Sequence, residues 1–408
     1  MKEIFRPLRE LDQQQRNAVI ASFLGWSLDA FDFFILVFVI KDIAHDFGSA
    51  VKDVAFAITL TLAMRPVGAL IFGLMADRFG RRPTLMVDIL CYSLMELLTA
   101  FAPSLGVLLV FRALYGIAMG GEWGVGASLT MESIPAKARG IVSGILQEGY
   151  AAGYLLAAVV YGLFYAFIGW RGMFIVGVLP GLLVLYIRLG VKESPTWQRT
   201  ERPKMNILET LRGRWRLLIY TVLMMTAFNF FSHGTQDLYP TFLEVQHKLS
   251  PRAVGIIAVI YNIGAILGGI CFGALSERIG RRRAIVFAAL LAIPIAPIWA
   301  FSASAGMLAL GAFLIQISVQ GAWGVVPTHL NELSPEEVRG TFPGFTYQLG
   351  NLLAAANAPL QAWIAERNGG DYGLALAIVA VVAAIAVAVL AGFGMERKGV
   401  TFGLAPGE

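Results

Sequence analysis

Charge is scarce in this chain of 408 residues. Only 14% are Asp, Glu, Lys or Arg, where a soluble domain carries about a quarter. Cysteine is scarcer still. Cys91 and Cys271 are the two copies, each within an apolar run of a different half. That pattern argues against a disulfide framework or a metal centre, and no metal or cofactor is expected. No nucleophile–base constellation, metal-ligand cluster or phosphate loop stands outside the apolar runs, so an enzyme is not expected. The net charge of +5 is too modest to point to nucleic acid. A cleavable leader is not expected either: a polar arm with Lys2, Arg6, Arg9 and Arg16 precedes a first apolar run long enough to stay in a membrane.

What the chain has in plenty is apolar surface, with 57% hydrophobic residues and a mean hydropathy of +0.69. Lipid is therefore its solvent. A spanning helix needs about 20 mostly apolar residues. That ruler gives twelve spans: 17–40, 53–75, 83–102, 105–130, 140–165, 170–190, 216–245, 252–276, 284–302, 305–329, 340–365 and 371–394. Most of the 32 Lys and Arg fall in the two tails and the even-to-odd connections. The positive-inside rule then places both termini in the cytoplasm, and a multi-pass protein of the cell (inner) membrane is expected. The longest polar break, 191–215, separates an expected N-terminal six-helix bundle (1–190) from a C-terminal one (216–408).

The halves are repeats. "GLMADRFGRRP" (Gly73–Pro83) matches "GALSERIGRRR" (Gly273–Arg283) at an offset of 200, and Gly120–Gly140 matches Gln320–Gly340 at the same offset. Trp123/Trp323, Glu132/Glu332, Pro135/Pro335 and Arg139/Arg339 fall in register. A duplicated six-helix unit is a common transporter plan, with the substrate site near the midplane between the halves. Asp77, Arg78, Arg81, Glu132 and Arg139 lie at expected cytoplasmic helix ends. They are candidates for a conformational latch, an ion-pair network that holds the bundles shut on the inside; simple anchoring of helix ends is the plainer reading.

An ionisable residue within a span is a functional candidate by default. The first span carries Asp29 and Asp32, which the i, i+3 spacing puts on one face. The second carries Arg65 near its centre. The seventh carries a stripe, Asn229, Ser232, His233, Gln236 and Asp237, within roughly 140° of one another at about 100° per residue. These groups are expected to meet near the midplane. Arg65 has a second reading, as a permanent partner of Asp29 or Asp32, and His233 as a neutral hydrogen-bonding residue. Arg112 and Glu122 read equally well as functional groups or as a structural set with Tyr115 and Trp123, and Glu96 reads as structural. Glu148 and Gln348, at equivalent repeat positions, read as polar cavity linings.

The Asp77–Arg82 loop and "RALYGIAMGG" from Arg112 resemble signatures of the major facilitator superfamily over the whole chain. The helix 5 Gly-Pro antiporter motif is missing from "GILQEGYAAGYLLAAVV", which leans towards symport or uniport. "NFFSHGTQDLYPT" resembles, at Asn229, Ser232, His233, Thr235, Gln236, Asp237 and Thr241, the pattern of the Jen-type monocarboxylate/proton symporters within the sialate/proton group. "SLDAFDF" and Arg65 fit the same group. The resemblance implies an all-α membrane protein of the major facilitator fold, in which Arg65, Gln348 and the seventh-span motif lie along the substrate path. The chemistry agrees: a guanidinium offers a fork to a carboxylate, and aromatic residues such as Phe33, Tyr150, Phe230 and Tyr347 would limit an apolar tail. The expected function is proton-coupled symport of a short monocarboxylate, lactate-like, by a functional monomer. Expected substrate contacts are Arg65, Asn229, Ser232, His233, Gln236, Gln348 and Tyr150; expected proton-coupling groups are Asp29, Asp32, His233, Asp237 and Glu122. A larger acid such as sialate or an aromatic acid is the alternative cargo, and a carboxylate-sensing membrane receptor the alternative of another class.

Overall fold

A computed structural model of the chain describes residues 5–199 and 213–402. Among the described residues every regular element is helical. The expected middle connection, 191–215, is described only at its two ends, and the rest of it lies outside the described residues.

Among the described residues ten helices are long and apolar enough to cross a membrane, from Gln13–Asp46 to Tyr372–Phe393. The sixth and eleventh expected spans are present in pieces. The sixth leaves the fifth at Gly169, whose φ of 61° is open to glycine, and runs through a short 3₁₀ turn to Leu183–Gly190. The eleventh is split into Phe342–Ala354 and Asn357–Arg367. The tenth breaks between Ala305–Trp323 and Val326–Leu333, where Pro327 occupies the first turn of the new segment, a position at which its missing N–H costs nothing. Irregular backbone at this depth is tolerated only where protein or a cavity surrounds it.

Local chemistry explains the helix ends. Asp12 and Gln15 form a capping box at the start of the first span, satisfying two orphan N–H groups. Ser104 and Ser304, one repeat apart, accept from Val107 and Met307 backbone N–H. Gly80 and Gly280 join the second span to the third and the eighth to the ninth with φ of 113° and 97°. A single left-handed residue replaces a loop there, which is why the repeated motif needs glycine.

The repeat is visible in the packing as well. A methyl group on Gly68 would fall 1.6 Å from the Ile117 carbonyl oxygen, and one on Gly268 would fall 2.5 Å from that of Ile317. The second span therefore lies against the fourth, and the eighth against the tenth, with backbones in contact. Large side chains such as Leu90, Phe164, Val382 and Phe393 point outward, as lipid-facing positions should. The halves pack together on the face that carries both termini: segment Arg139–Gln147 of the fifth span against the eighth, and the eleventh against the second and fourth. Towards the opposite face the first and seventh spans do not pack along one another.

Candidate substrate site

Arg65 is the centre of the candidate site. The second span holds it between the halves, 3% exposed, its guanidinium carbon 5.9 Å from the Trp26 ring of the first span and 5.8 Å from the Tyr347 ring of the eleventh. Its Nε and Nη2 have no hydrogen-bond acceptor among the described residues. Among the described residues no carboxylate lies within ion-pair distance of it, so the structure shows no direct Arg65 ion pair with Asp29 or Asp32. Arg112, in the fourth span, does have a fixed partner. It is fully buried, paired with Glu96 and stacked 3.8 Å from the centre of the Tyr115 ring.

The aromatic wall around Arg65 is continuous. Trp26 packs on Tyr150 at 5.5 Å, Tyr150 on Phe34 at 5.2 Å, Phe34 on Tyr154 at 4.9 Å and Tyr154 on Phe38 at 5.9 Å. This column follows the first and fifth spans from Arg65 towards the face opposite the termini. On the other side Tyr347 is held between Trp123 and Trp323.

The seventh-span stripe divides into two networks. His233 Nδ1 meets Asp237 at 3.1 Å, and its Nε2 meets the Asn351 side-chain oxygen at 3.0 Å. Gln236 donates to Ser232 at 3.2 Å and to Gln316 at 3.4 Å, and Gln316 reaches Thr235. His233 and Asp237 side chains remain 38% and 36% exposed, open to the space between the halves. Asn229 is buried and spends its amide N–H on the Met225 carbonyl of its own helix. Gln348 is 1% exposed, with neither amide atom partnered among the described residues. Its repeat mate Glu148 aims at the eighth span, where a methyl on Gly269 would fall 2.1 Å from its Oε1.

The acids of the first half do not all gather at Arg65 as the spacing suggests. Asp29 accepts from the Tyr115 hydroxyl at 3.3 Å, and its second oxygen is unpartnered among the described residues. Asp32 is turned into the first bundle: a methyl on Gly177 would lie 2.8 Å from its Oδ1 and 3.4 Å from Glu96 Cγ. Glu122 faces Gly25 of the first span and lines a small void with Ser22, Trp26 and Pro327. Asp88, in the third span, is fully buried with both oxygens unpartnered among the described residues.

Sequence reasoning missed Asn351, Gln316 and Asp88. Each is a polar residue within an apolar run, the same signal that marks Asp29 and Arg65, but single and outside any motif.

At the face with the termini, two matched clusters join the halves. Arg81 grips Glu132 with two hydrogen bonds of 3.2 and 3.0 Å, and Arg281 grips Glu332 with two of 3.0 Å. Each glutamate also meets an arginine of the other half, Glu132 with Arg339 at 3.6 Å and Glu332 with Arg139 at 3.9 Å. Asp77 accepts from Gly340 N–H (2.7 Å), Thr341 N–H (3.0 Å) and Thr341 hydroxyl (2.6 Å), while Glu277 accepts from Gly140 N–H at 2.6 Å. Phe402 of the C-terminal tail lies under both arginines, 3.6 Å from Arg139 and 3.9 Å from Arg339. Arg78 is exposed beside Phe79 and takes no part in the cross-half ion pairs among the described residues.

The family model described as Major Facilitator Superfamily matches residues 22–250, and that described as Sugar (and other) transporter matches 217–393. The chain is 30% identical over 388 residues to a carboxylic acid transporter protein homolog of Saccharomyces cerevisiae, covering 88% of this chain but 63% of the yeast protein. It is 29% identical to the sialic acid transporter NanX of Escherichia coli, covering 96% of each. A probable 4-methylmuconolactone transporter of Cupriavidus pinatubonensis is 30% identical, covering 84% of this chain and 82% of that protein. Among solved structures, the proton:xylose symporter XylE superposes with a TM-score of 0.78 at 18% identity, covering 96% of this chain and 98% of that one.

Proposed function

Because the chain belongs to the Major Facilitator Superfamily and is a transporter of a small organic substrate and not an enzyme, we propose that it carries a short monocarboxylate together with a proton by alternating access. The observation that carries this reading is Arg65, a buried guanidinium between the halves with two nitrogens that no acceptor among the described residues satisfies. A buried unpaired cation costs several kcal/mol, and a carboxylate placed against its fork relieves that cost with charge-assisted hydrogen bonds. Ser232, His233, Gln236, Gln348 and Tyr150 supply polar contacts for a hydroxyl or keto group, and Asn229 contributes through its remaining side-chain oxygen.

Proton coupling rests on charge balance. Apart from the Arg81–Glu132–Arg139 cluster at the face with the termini, the first bundle buries the carboxyls Asp29, Asp32, Asp88, Glu96, Glu122 and Glu148 against the guanidinium groups of Arg65 and Arg112 among the described residues. Six carboxyls sharing two guanidinium groups in an apolar bundle need protons to be neutral. When a substrate carboxylate takes Arg65, the need rises by one. Asp29, beside the Tyr115 hydroxyl, is the first acid to respond, with Asp32 and Glu122 behind it; His233 and Asp237, partly open to the space between the halves, pass the proton in.

The Asp77, Arg81, Glu132 and Arg139 set is the latch, completed by Glu277, Arg281, Glu332 and Arg339. It holds the face with the termini closed, which the distribution of basic residues makes the cytoplasmic face of the inner membrane. One chain contains both halves of the site, so a monomer is the working unit. The test is uptake of labelled lactate into proteoliposomes under an imposed pH gradient, with Arg65→Ala as the disabled variant. Uptake indifferent to the gradient sinks the coupling; unchanged uptake in Arg65→Ala sinks the site.

One observation favours a second cargo. The ring column Trp26–Tyr150–Phe34–Tyr154 suits a planar or aromatic acid better than a three-carbon one. Competition of labelled uptake by lactate, benzoate and sialate separates these readings, since an aromatic site is blocked by benzoate at lower concentration.

A further inference from the structure

We propose that a groove among the ends of the eighth, ninth and twelfth spans, on the face with the termini, is a binding site for an anionic glycerophospholipid. The inference is independent of what Arg65 binds. The groove has a volume of about 740 Å³, and Arg278, Arg282, Arg283 and Lys398 line it along with one carboxylate, Glu396. Its remaining wall is apolar, from Val286 and Phe287 to Leu290. Phe287 and Leu290 are 54% and 41% exposed. At 1.5 Å per residue they lie about 9 and 14 Å along the helix from Arg281. Positive charge at the helix end and exposed apolar side chains one acyl segment deeper match the two parts of a phospholipid. A soluble phosphate would use only the first.

The protein consumes part of the charge itself. Arg282 donates to the Ala391 and Gly392 carbonyls at the end of the twelfth span, and Glu396 accepts from the Arg282 backbone N–H. Arg283 and Lys398 are exposed and make no ion pair among the described residues. They are the groups left to meet a headgroup.

The repeat supplies the contrast. In the first half Pro83 stands where Arg283 stands in the second. Glu193 takes the Arg81 and Arg82 backbone N–H groups as Glu396 takes that of Arg282, and Arg82 donates to the Arg188 carbonyl at 2.6 Å. There the chain itself covers the helix ends: Pro195–Arg199 forms a short helix whose Trp197 indole donates to the Asp77 carbonyl. Anchoring by positive charge accounts for bases at helix ends in both halves. It does not account for a groove with added bases in one half and a covering helix in the other. Basic pockets between membrane helices on this side are suited to anionic headgroups.

The test purifies the full chain from mixed phosphatidylglycerol/phosphatidylcholine bilayers and counts retained lipids by native mass spectrometry. Phosphatidylglycerol is expected to be retained over phosphatidylcholine, and the double variant Arg283→Gln/Lys398→Gln to lose that preference by roughly tenfold or more, as removal of two surface bases requires. Phe287→Ser/Leu290→Ser is expected to weaken retention through the acyl end. A control, Arg9→Gln/Lys192→Gln, removes the same charge elsewhere on this face and is expected to change nothing. Full retention in the first variant, equal loss in the control, or complete displacement by millimolar glycerol phosphate would each overturn the proposal.

Discussion

Asp77→Asn should open the face that carries the termini. In the closed arrangement this carboxylate accepts three hydrogen bonds from the opposite half, at 2.7, 3.0 and 2.6 Å. Hydrogen bonds to a charged group contribute about 1.5–3 kcal/mol each. The amide keeps the shape, removes the charge and turns one acceptor into a donor that faces the Gly340 and Thr341 N–H groups. One to two of the three bonds are lost, so the closed state is weakened by about 2–5 kcal/mol. When the halves separate, the same group is hydrated in both variants, and little changes. At about 1.4 kcal/mol per decade, the closed-to-open ratio falls roughly 30- to 3,000-fold. Glu277, the repeat mate, accepts one cross-half bond, from Gly140 N–H, so Glu277→Gln should shift the ratio only about tenfold. Spin labels at the exposed, opposite-half positions Val87 and Ile219, with Cys91 and Cys271 replaced by Ser, report the separation. A longer distance in Asp77→Asn, and a smaller change in Glu277→Gln, is expected. Identical distance distributions in both variants and the parent would refute the latch.

Phe402→Ala removes the ring beneath Arg139 and Arg339 and should shift the same distance distribution towards the open form by about 1 kcal/mol or more, the scale of two cation–π contacts; no shift would make the tail a bystander. Glu96→Ala leaves Arg112 buried without its partner, and melting of the detergent-solubilised protein should fall by an amount equal to about 3–5 kcal/mol, while Glu96→Gln costs less. His233→Gln keeps a contact to Asn351 but cannot carry a proton; if His233 conducts, pH-driven uptake falls while substrate exchange at equal pH persists, and equal loss of both would assign it to substrate binding. Asp88→Asn should change the pH dependence of uptake without lowering the melting temperature, since neither oxygen has a partner to lose among the described residues.

The repeat, the spans and the twin clusters were legible because they are periodic or duplicated. Gly80 and Gly280, Arg81 and Arg281, Glu132 and Glu332 appear twice at one offset, and duplicated residues fold into duplicated contacts. The seventh-span stripe was legible because helical spacing fixes which residues share a face. Depth and direction were not. Asp29 and Asp32 share a face by spacing, but neighbours decide what that face meets, and Gly177 makes room for Asp32 inside the first bundle. Asn351 was invisible as the partner of His233 because a contact between residues 118 apart leaves no local trace. Phe402 was hidden for the same reason: the tail looks short and plain until its docking place between two arginines exists. The sixth span breaks at the Leu179–Leu182 turn, which holds Pro180, and the eleventh just before Asn357, positions that hydropathy alone averages away.

The most direct measurement of the central claim is lactate uptake by proteoliposomes containing the parent chain or Arg65→Ala, with the pH gradient inward, absent or reversed. The account predicts accumulation in the parent only with the inward gradient. It also predicts a fall of about 100-fold or more in Arg65→Ala, the loss of two charge-assisted hydrogen bonds. Accumulation that ignores the gradient, or survives the loss of Arg65, would contradict it.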